Sequence, residues 1–325
     1  DGYPDIETLP TIANYFGISV DELIGMNKIK DTSVVDRIME SVSENAAKGL
    51  IEDNIALLEE ALKRFPNDYK LLSEYANYLT FVNWDRDGEP FRRNALKAVE
   101  IAERVLSECP DFDLRQEMQS SICYYYQYAG MTDKAREAAS KLPYIWSSRE
   151  AILSHFLKGE ELIRFLQNCV ISQAELLYNT LLALSDMGCE NNPELTWEQR
   201  IKIQQKAISV LETVFEDGDY NFCACDFMCA YQRIATMALR VNNPELALES
   251  LEKAADFAVY FDALPEVKPY TSLLVNKLEY RLKDIRTNRK TTLCKELLGY
   301  MDWEGYSPIR QEPRFAAVEE RLKTM

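Results

Sequence analysis

Ile122-Cys123-Tyr124-Tyr125-Tyr126-Gln127-Tyr128-Ala129-Gly130-Met131-Thr132-Asp133-Lys134-Ala135 reads as the end of one helix, a turn and the start of another. Ile122, Cys123, Tyr126, Gly130 and Ala135 supply, in order, a large, a small and an aromatic residue, a turn glycine and a second small residue. The spacing returns at Tyr231, Ile234, Ala235, Ala238, Ala247, Leu251 and Ala254, with Asn242-Asn243-Pro244 as the turn. Ala61 followed by Phe65-Pro66-Asn67-Asp68, and Ala98 followed by Cys109-Pro110-Asp111, read as two closing helices. Small residues let paired helices approach closely. Proline ends the second helix of a pair, because it cannot continue the hydrogen-bond ladder.

This pattern resembles the tetratricopeptide repeat. The likeness extends over about residues 35–325 and is degenerate. The period is not uniform, residues 83–93 lengthen one turn, and residues 144–216 are helical by pattern but fit the repeat poorly. Leu297-Leu298-Gly299-Tyr300 through Ser307-Pro308 to Phe315 resembles a terminal repeat.

Toward the N-terminus, Tyr3-Pro4-Asp5-Ile6-Glu7-Thr8-Leu9 through Ala13-Asn14-Tyr15-Phe16-Gly17 reads as one short helix, with Asp5 as its cap and Gly17 as its end. Ile6, Leu9, Ile12, Ala13 and Phe16 fall on one face at helical spacing. Ser19 to Glu22 reads as a capping box for a second helix gripped by Leu23 and Ile24. The pair resembles the last two helices of the phage-repressor-type helix-turn-helix domain of the xenobiotic-response-element family. That family's first three helices, including the one that reads bases in the major groove, are expected upstream of Asp1. The expected organisation is a helix-turn-helix remnant over residues 1–26, a linker over 27–33 and a tetratricopeptide-like domain over 34–325. The fold class is all-α: a helical-repeat solenoid preceded by those two helices.

Composition agrees with an all-α chain. Only 11 of 325 residues are glycine, about half the usual share, and apolar residues recur at helical period almost throughout. Acidic residues outnumber basic ones 53 to 37, for a net charge of −16. A surface of that sign repels phosphate, so residues 30–325 are not expected to bind nucleic acid. The eight cysteines are irregularly spaced, as free core thiols of a reducing cytoplasm would be. No run approaches the length of a membrane span.

In tetratricopeptide folds the first helix of each repeat lines the concave face. That resemblance places Asn77, Thr80 and Phe81 there, then Tyr124, Gln127 and Tyr128, then Gln232, Thr236 and Arg240. An asparagine on such a face can bond both polar groups of an extended peptide backbone, and tyrosines add stacking area with a polar tip. Inter-repeat packing is the other role open to each. Of the three adjacent tyrosines, Tyr126 reads as core.

Cys223-x-Cys225-x-x-x-Cys229 is the most metal-like cluster. It lacks a fourth ligand nearby and the usual zinc spacing, and reads as core cysteines, so no metal or other cofactor is expected. His155 is the only histidine; between Leu153 and Phe156 it reads as structural. Glu59-Glu60 and Glu160-Glu161 read as solvated helix surface, and Arg92-Arg93 and Arg286-x-x-Arg289-Lys290 as charge-balancing patches. Without a P-loop, a G-x-G-x-x-G or an H-E-x-x-H motif, or a nucleophile paired with the one histidine, an enzyme is not expected.

The two resemblances together imply a cytoplasmic, ligand- or peptide-responsive transcription regulator. It would be a homodimer, since two half-sites need two heads, and would hold DNA through the upstream helices and a peptide or protein effector on the concave face. The alternatives are a tetratricopeptide-like adaptor for another protein, or a body that serves only to dimerise.

Overall fold

A computed structural model describes residues 5–23, 28–81, 88–185, 194–285, 287, 289 and 291–324, excepting the side chains of 22 and 28–33. The chain divides into two compact units, Asp1–Leu142 and Pro143–Met325.

The first unit is helical: α1 Leu9–Phe16, α2 Val20–Leu23, α3 Lys28–Ala47, α4 Ile51–Arg64, α5 Tyr69–Thr80, α6 Glu89–Glu108, α7 Phe112–Tyr128 and α8 Thr132–Ser140. From α3 to α8 each helix packs on the next, and α5 also touches α7. The helix ends follow their sequence signals. α4 stops at Arg64 before Pro66, and the Asp68 side chain accepts the Leu71 N–H (3.0 Å) to open α5. α6 stops at Glu108 before Pro110, and Asp111 accepts from Asp113 and Leu114 to open α7. Small residues sit where the helices meet: Ala76, Ala95, Ala98 and Ala102 are fully buried in one core with Tyr78, Phe91 and Leu71.

Two local expectations need correction in this unit. Asp5 makes no side-chain cap. The chain enters through a 3-10 turn, Ile6–Thr8, whose i→i+3 geometry aims the Thr8 N–H and hydroxyl at the Asp5 carbonyl instead (2.8 and 2.6 Å). The stretch read as a linker is helical from Lys28 onward; Asn27 and Ile24 lie outside the described residues, as does the Glu22 side chain. Gly17 ends α1 as expected, at φ +67°, with its N–H on the carbonyls of Ala13 and Asn14.

The second unit holds α9 Arg149–Leu153, α10 Gly159–Leu184, α11 Trp197–Val214, α12 Ala224–Arg240, α13 Pro244–Asp262, α14 Leu293–Met301 and α15 Pro313–Lys323. α12 and α13 make its most extensive helix pair. Ala235 and Ala238 face Ala247, Ala254, Ala255 and Ala258 there, all fully buried. Their turn follows the sequence: Asn242 takes a positive φ of 53°, and Asn243 caps α13 through the Leu246 N–H (3.1 Å), with Pro244 in the first turn.

A departure from an all-α chain is a short antiparallel ribbon, β1 Val267–Pro269 with β2 Glu279–Arg281, with Lys268 opposite Tyr280. Three-residue strands leave little sequence signal. The ribbon is held from outside: Lys268 Nζ reaches the buried Asp219 carboxylate at 2.5 Å, and the Thr271 N–H donates to the other oxygen at 2.7 Å. The fold is thus mostly helical, and no helix among the described residues is long and apolar enough to cross a membrane.

Candidate functional site

The residues expected on one concave face divide between the two units. Asn77, Phe81, Tyr124, Gln127 and Tyr128 belong to the first, Gln232 and Arg240 to the second.

In the first unit, the Tyr125 hydroxyl donates to Asn77 Oδ1 (2.5 Å), so that carbonyl is already engaged within the chain. Thr80 is buried, and its hydroxyl donates to the Asn77 backbone carbonyl (3.2 Å). Phe81 lies edge-on to Tyr78, and Tyr128 edge-on to Phe91 at 5.4 Å. Tyr124 and Gln127 are exposed. The core tyrosine is Tyr125, not Tyr126. Met118, Ile122, Tyr125 and Ala129 repeat at intervals of three and four and form the buried stripe of α7. Tyr126 is rotated from that stripe by about 100°, half-exposed, with its hydroxyl donating to Glu103 on α6 (2.8 Å).

In the second unit, a 3-10 turn at Glu304–Tyr306 packs against α12. The Tyr306 hydroxyl meets Thr236 Oγ1 at 3.0 Å and accepts from Gln232 Nε2 at 3.3 Å. The buried Thr236 and half-buried Gln232 are therefore engaged by the tail of the same chain. Arg240 is exposed, its guanidinium 5.5 Å from the Trp303 ring centre and 6.0 Å from that of Trp197.

A further opening lies between the 145–155 segment and α10. It is an apolar groove of about 620 Å³. Pro143 and Tyr144 lead into a 3-10 turn, Ile145–Ser147. Ser148 then caps α9 by accepting the Ala151 N–H (3.3 Å). This path sets Ile145, Trp146 and Ile152 on one wall; α10 supplies Leu166, Cys169, Leu176 and Leu177 on the other. Glu150, Ser154, His155, Gln173 and Thr180 add polar groups. Trp146 is 74 % exposed, Leu176 58 % and Leu177 49 %. His155, read as structural, is exposed on this groove, just past the end of α9 at Leu153. The Cys169 thiol is pushed up by burial.

α10 presents apolar residues on two sides. Ile171, Ala174, Tyr178, Leu181 and Leu182 face the core formed with α11 and α12, where the Tyr178 hydroxyl donates to the Asp226 carbonyl (2.7 Å). Gln167 ties the helix to the loop after β1, accepting the Lys277 N–H at 2.7 Å and donating to Asn276 at 3.2 Å. Leu166, Leu176, Leu177 and Leu184 remain in water on the other side. Sequence reading missed the groove because residues 144–216 lack the repeat spacing. The available signal was a long helix with leucines on more than one side, more than a single core face needs.

A smaller polar groove of about 280 Å³ lies among α11, α12 and α13, with Glu212, Glu249 and Lys253 on its walls.

The cysteine cluster sits at the start of α12. Burial pushes the Cys225 thiol to about 12 and the Cys229 thiol to about 11, and raises Cys223 well above its ordinary value. Thiols held this far from ionisation are poor nucleophiles. Arg289, read as part of a solvated basic patch, is half-buried here and donates to Glu296 (2.9 Å); Arg286 and Lys290 lie outside the described residues. Glu59 and Glu60 are exposed, as read, and Glu59 accepts from the Tyr75 hydroxyl, which also meets Lys97 Nζ at 2.5 Å.

Asp226 carries a pH dependence. Burial first, and the Glu175 charge second, lift its carboxyl to about 6 from an ordinary 3.8. Between about pH 4 and 6 the folded protein retains a proton that the unfolded chain has released, so this group lowers stability as pH rises through that window. Asp226→Asn is therefore expected to be more stable than the parent at pH 7, by about 3 kcal/mol, with the gap closing below about pH 4. Urea denaturation across a pH series measures it; a variant less stable at pH 7 would refute the assignment.

No protein-family model matches this chain, and no curated protein matches it.

Proposed function

We propose that this chain is the sensor and dimerisation body of a ligand- or peptide-responsive DNA-binding regulator. Residues 1–26 would be the end of its helix-turn-helix head, and residues 34–325 a degenerate tetratricopeptide-like array. The observation that carries the reading is the uncovered apolar face of the N-terminal helices. Ala13 is buried, whereas Ile6, Phe16 and Ile18 stand in water beside a helix ended by a left-handed Gly17. A helix pair with exposed apolar residues fits a piece that seats against further helices of a head. Alanine-lined pairs such as α12 and α13 support the array reading, and a DNA-reading face is expected upstream rather than in this acidic chain.

Residues 1–325 alone are then expected to show no sequence-selective binding to duplex DNA at physiological salt, as read by gel shift against the gene's own promoter. Tight, selective binding by this chain would overturn the assignment of DNA recognition to upstream helices. The adaptor reading draws support from the groove between the 145–155 segment and α10, since a large exposed apolar surface fits a protein partner as well as an effector.

A further inference from the structure

We infer that the small polar groove among α11, α12 and α13 binds an organic cation, a guanidinium or primary ammonium group on a short apolar stem. The inference deepens the sensor part of the proposed function by naming the chemistry of a ligand. It rests on that reading for the use of the site, not for its existence.

The groove is rich in acceptors. Glu212 of α11 and Glu249 of α13 line it, both exposed and neither in an ion pair among the described residues. Glu212 stands in the last turn of α11, which ends at Val214 and carries no basic residue there. The helix dipole is negative at that end, so a carboxylate costs stability unless a cation joins it. The Glu212 charge reaches into the groove: after burial, it is what raises the Tyr231 hydroxyl.

A second, independent observation is the buried Ser250. It is 3 % exposed and lines the same groove. A serine in a helix can return its hydroxyl to the carbonyl four residues back, as Ser209 of α11 does to Gln205 (3.0 Å). The Ser250 hydroxyl does not, and it has no hydrogen-bond partner among the described residues. A hydroxyl taken from water without a partner costs stability. An ammonium or guanidinium carries donors and no acceptor, and would supply the missing bond to its lone pairs.

The groove also presents an aromatic face to a cation. Lys253 Nζ lies 5.1 Å from the ring centre of Tyr231, which is stacked on Phe257 at 5.8 Å. That is the placement in which a ring attracts a positive charge. Lys253 is exposed and in no ion pair among the described residues, so an incoming cation can take its place on the ring while it swings into water. Two carboxylates against one ammonium leave the lining net negative, which favours a cation over an anion. The buried Ile208 and Ile234 give a methylene stem an apolar wall. At about 280 Å³ the groove suits one side chain or a small amine rather than a helix.

The test is calorimetric titration of the full chain with two probes. N-acetyl-L-arginine N-methylamide carries its only charge on the side chain, and agmatine is a free guanidino amine. Saturable binding of at least one is expected. Binding of the arginine derivative assigns the cation to a peptide, binding of agmatine alone to a free amine, and both outcomes support the site. N-acetyl-L-citrulline N-methylamide, similar in shape without the charge, is expected to bind at least about tenfold more weakly than the arginine derivative. Glu212→Gln and Glu249→Gln are each expected to weaken binding about fivefold, and Ser250→Ala about fivefold, with unchanged helicity. Lys253→Ala is expected to tighten it about threefold by clearing the Tyr231 ring, whereas Lys206→Ala, at an exposed lysine outside the groove, is expected to change nothing. No saturable binding of either probe up to about 10 mM overturns the proposal. So does equal affinity for the citrulline derivative, or affinity unmoved by the glutamate and Ser250 variants. Should a variant lose helicity, the comparison of charged and neutral probes on the parent decides. None of these readings involves DNA, so failure here is distinct from failure of the regulator assignment.

Discussion

Phe227→Ala is expected to destabilise the second unit by about 4 kcal/mol, the usual range for a buried phenylalanine truncated to alanine. Phe227 is fully buried on α12, stacked on Phe257 of α13 with ring centres 4.6 Å apart. Tyr220 lies 4.7 Å from it and closes the cluster edge-on to Phe257. The ring contributes its transfer from water and also its stacking on Phe257, which holds α12 to α13. Truncation leaves a void among fully packed rings. Urea denaturation followed by helical ellipticity would measure the loss. Because the chain has two units, the transition should be followed also by a probe in the first, where no shift is expected. A loss below about 1 kcal/mol would contradict the packing described here.

The second large effect is expected at Arg200. Its side chain is 1 % exposed, with Nη1 donating to the Ser185 carbonyl and Nε to the Leu195 carbonyl, both at 3.3 Å. The guanidinium also lies 5.4 Å from the Trp197 ring centre. Gln204 adds a bond to the Ser185 hydroxyl (2.7 Å), so the end of α10 is tied to α11 by two buried polar side chains. Arg200→Ala strips buried carbonyls of their donor and opens a cavity. The expected loss is about 3 kcal/mol. Arg200→Met keeps much of the volume and removes only the donors, so the difference between the variants separates packing from hydrogen bonding. Arg200→Ala is further expected to loosen the C-terminal turns of α10 and, with them, the end of the apolar groove. Hydrogen exchange at Leu182 to Ser185 reads that effect directly; protection equal to the parent's would refute the coupling.

The features legible in the sequence are those written locally. Pro66 with Asp68, Pro110 with Asp111, and Asn243 with Pro244 mark helix ends within a few residues, because proline and capping side chains act on their own turn. Gly17 and Gly130 likewise take the positive φ that their positions suggested. Features set by rotation about a helix or by distant contacts were not legible. Tyr125 and Tyr126 differ by one position in an aromatic run, and only the stripe through Met118 and Ile122 tells them apart. The sequence leaves Gln232 and Thr236 open between a concave face and packing, and Tyr306, some seventy residues away, bonds to both. The groove was hidden for a third reason. α10 departs from the repeat spacing, and its outer leucines look in sequence like its inner ones. Which side stays in water is decided by Tyr178 and Gln167, whose partners Asp226, Asn276 and Lys277 lie on elements far along the chain.

The central claim is that this acidic helical body serves a DNA-binding head. Its most direct test is fluorescence anisotropy of the gene's own promoter DNA over a salt series, with the complete gene product beside residues 1–325. Binding by the complete product alone, weakening steeply as salt rises, is the predicted result. Binding by neither protein, with or without candidate effector peptides, would contradict the regulator assignment and favour an adaptor.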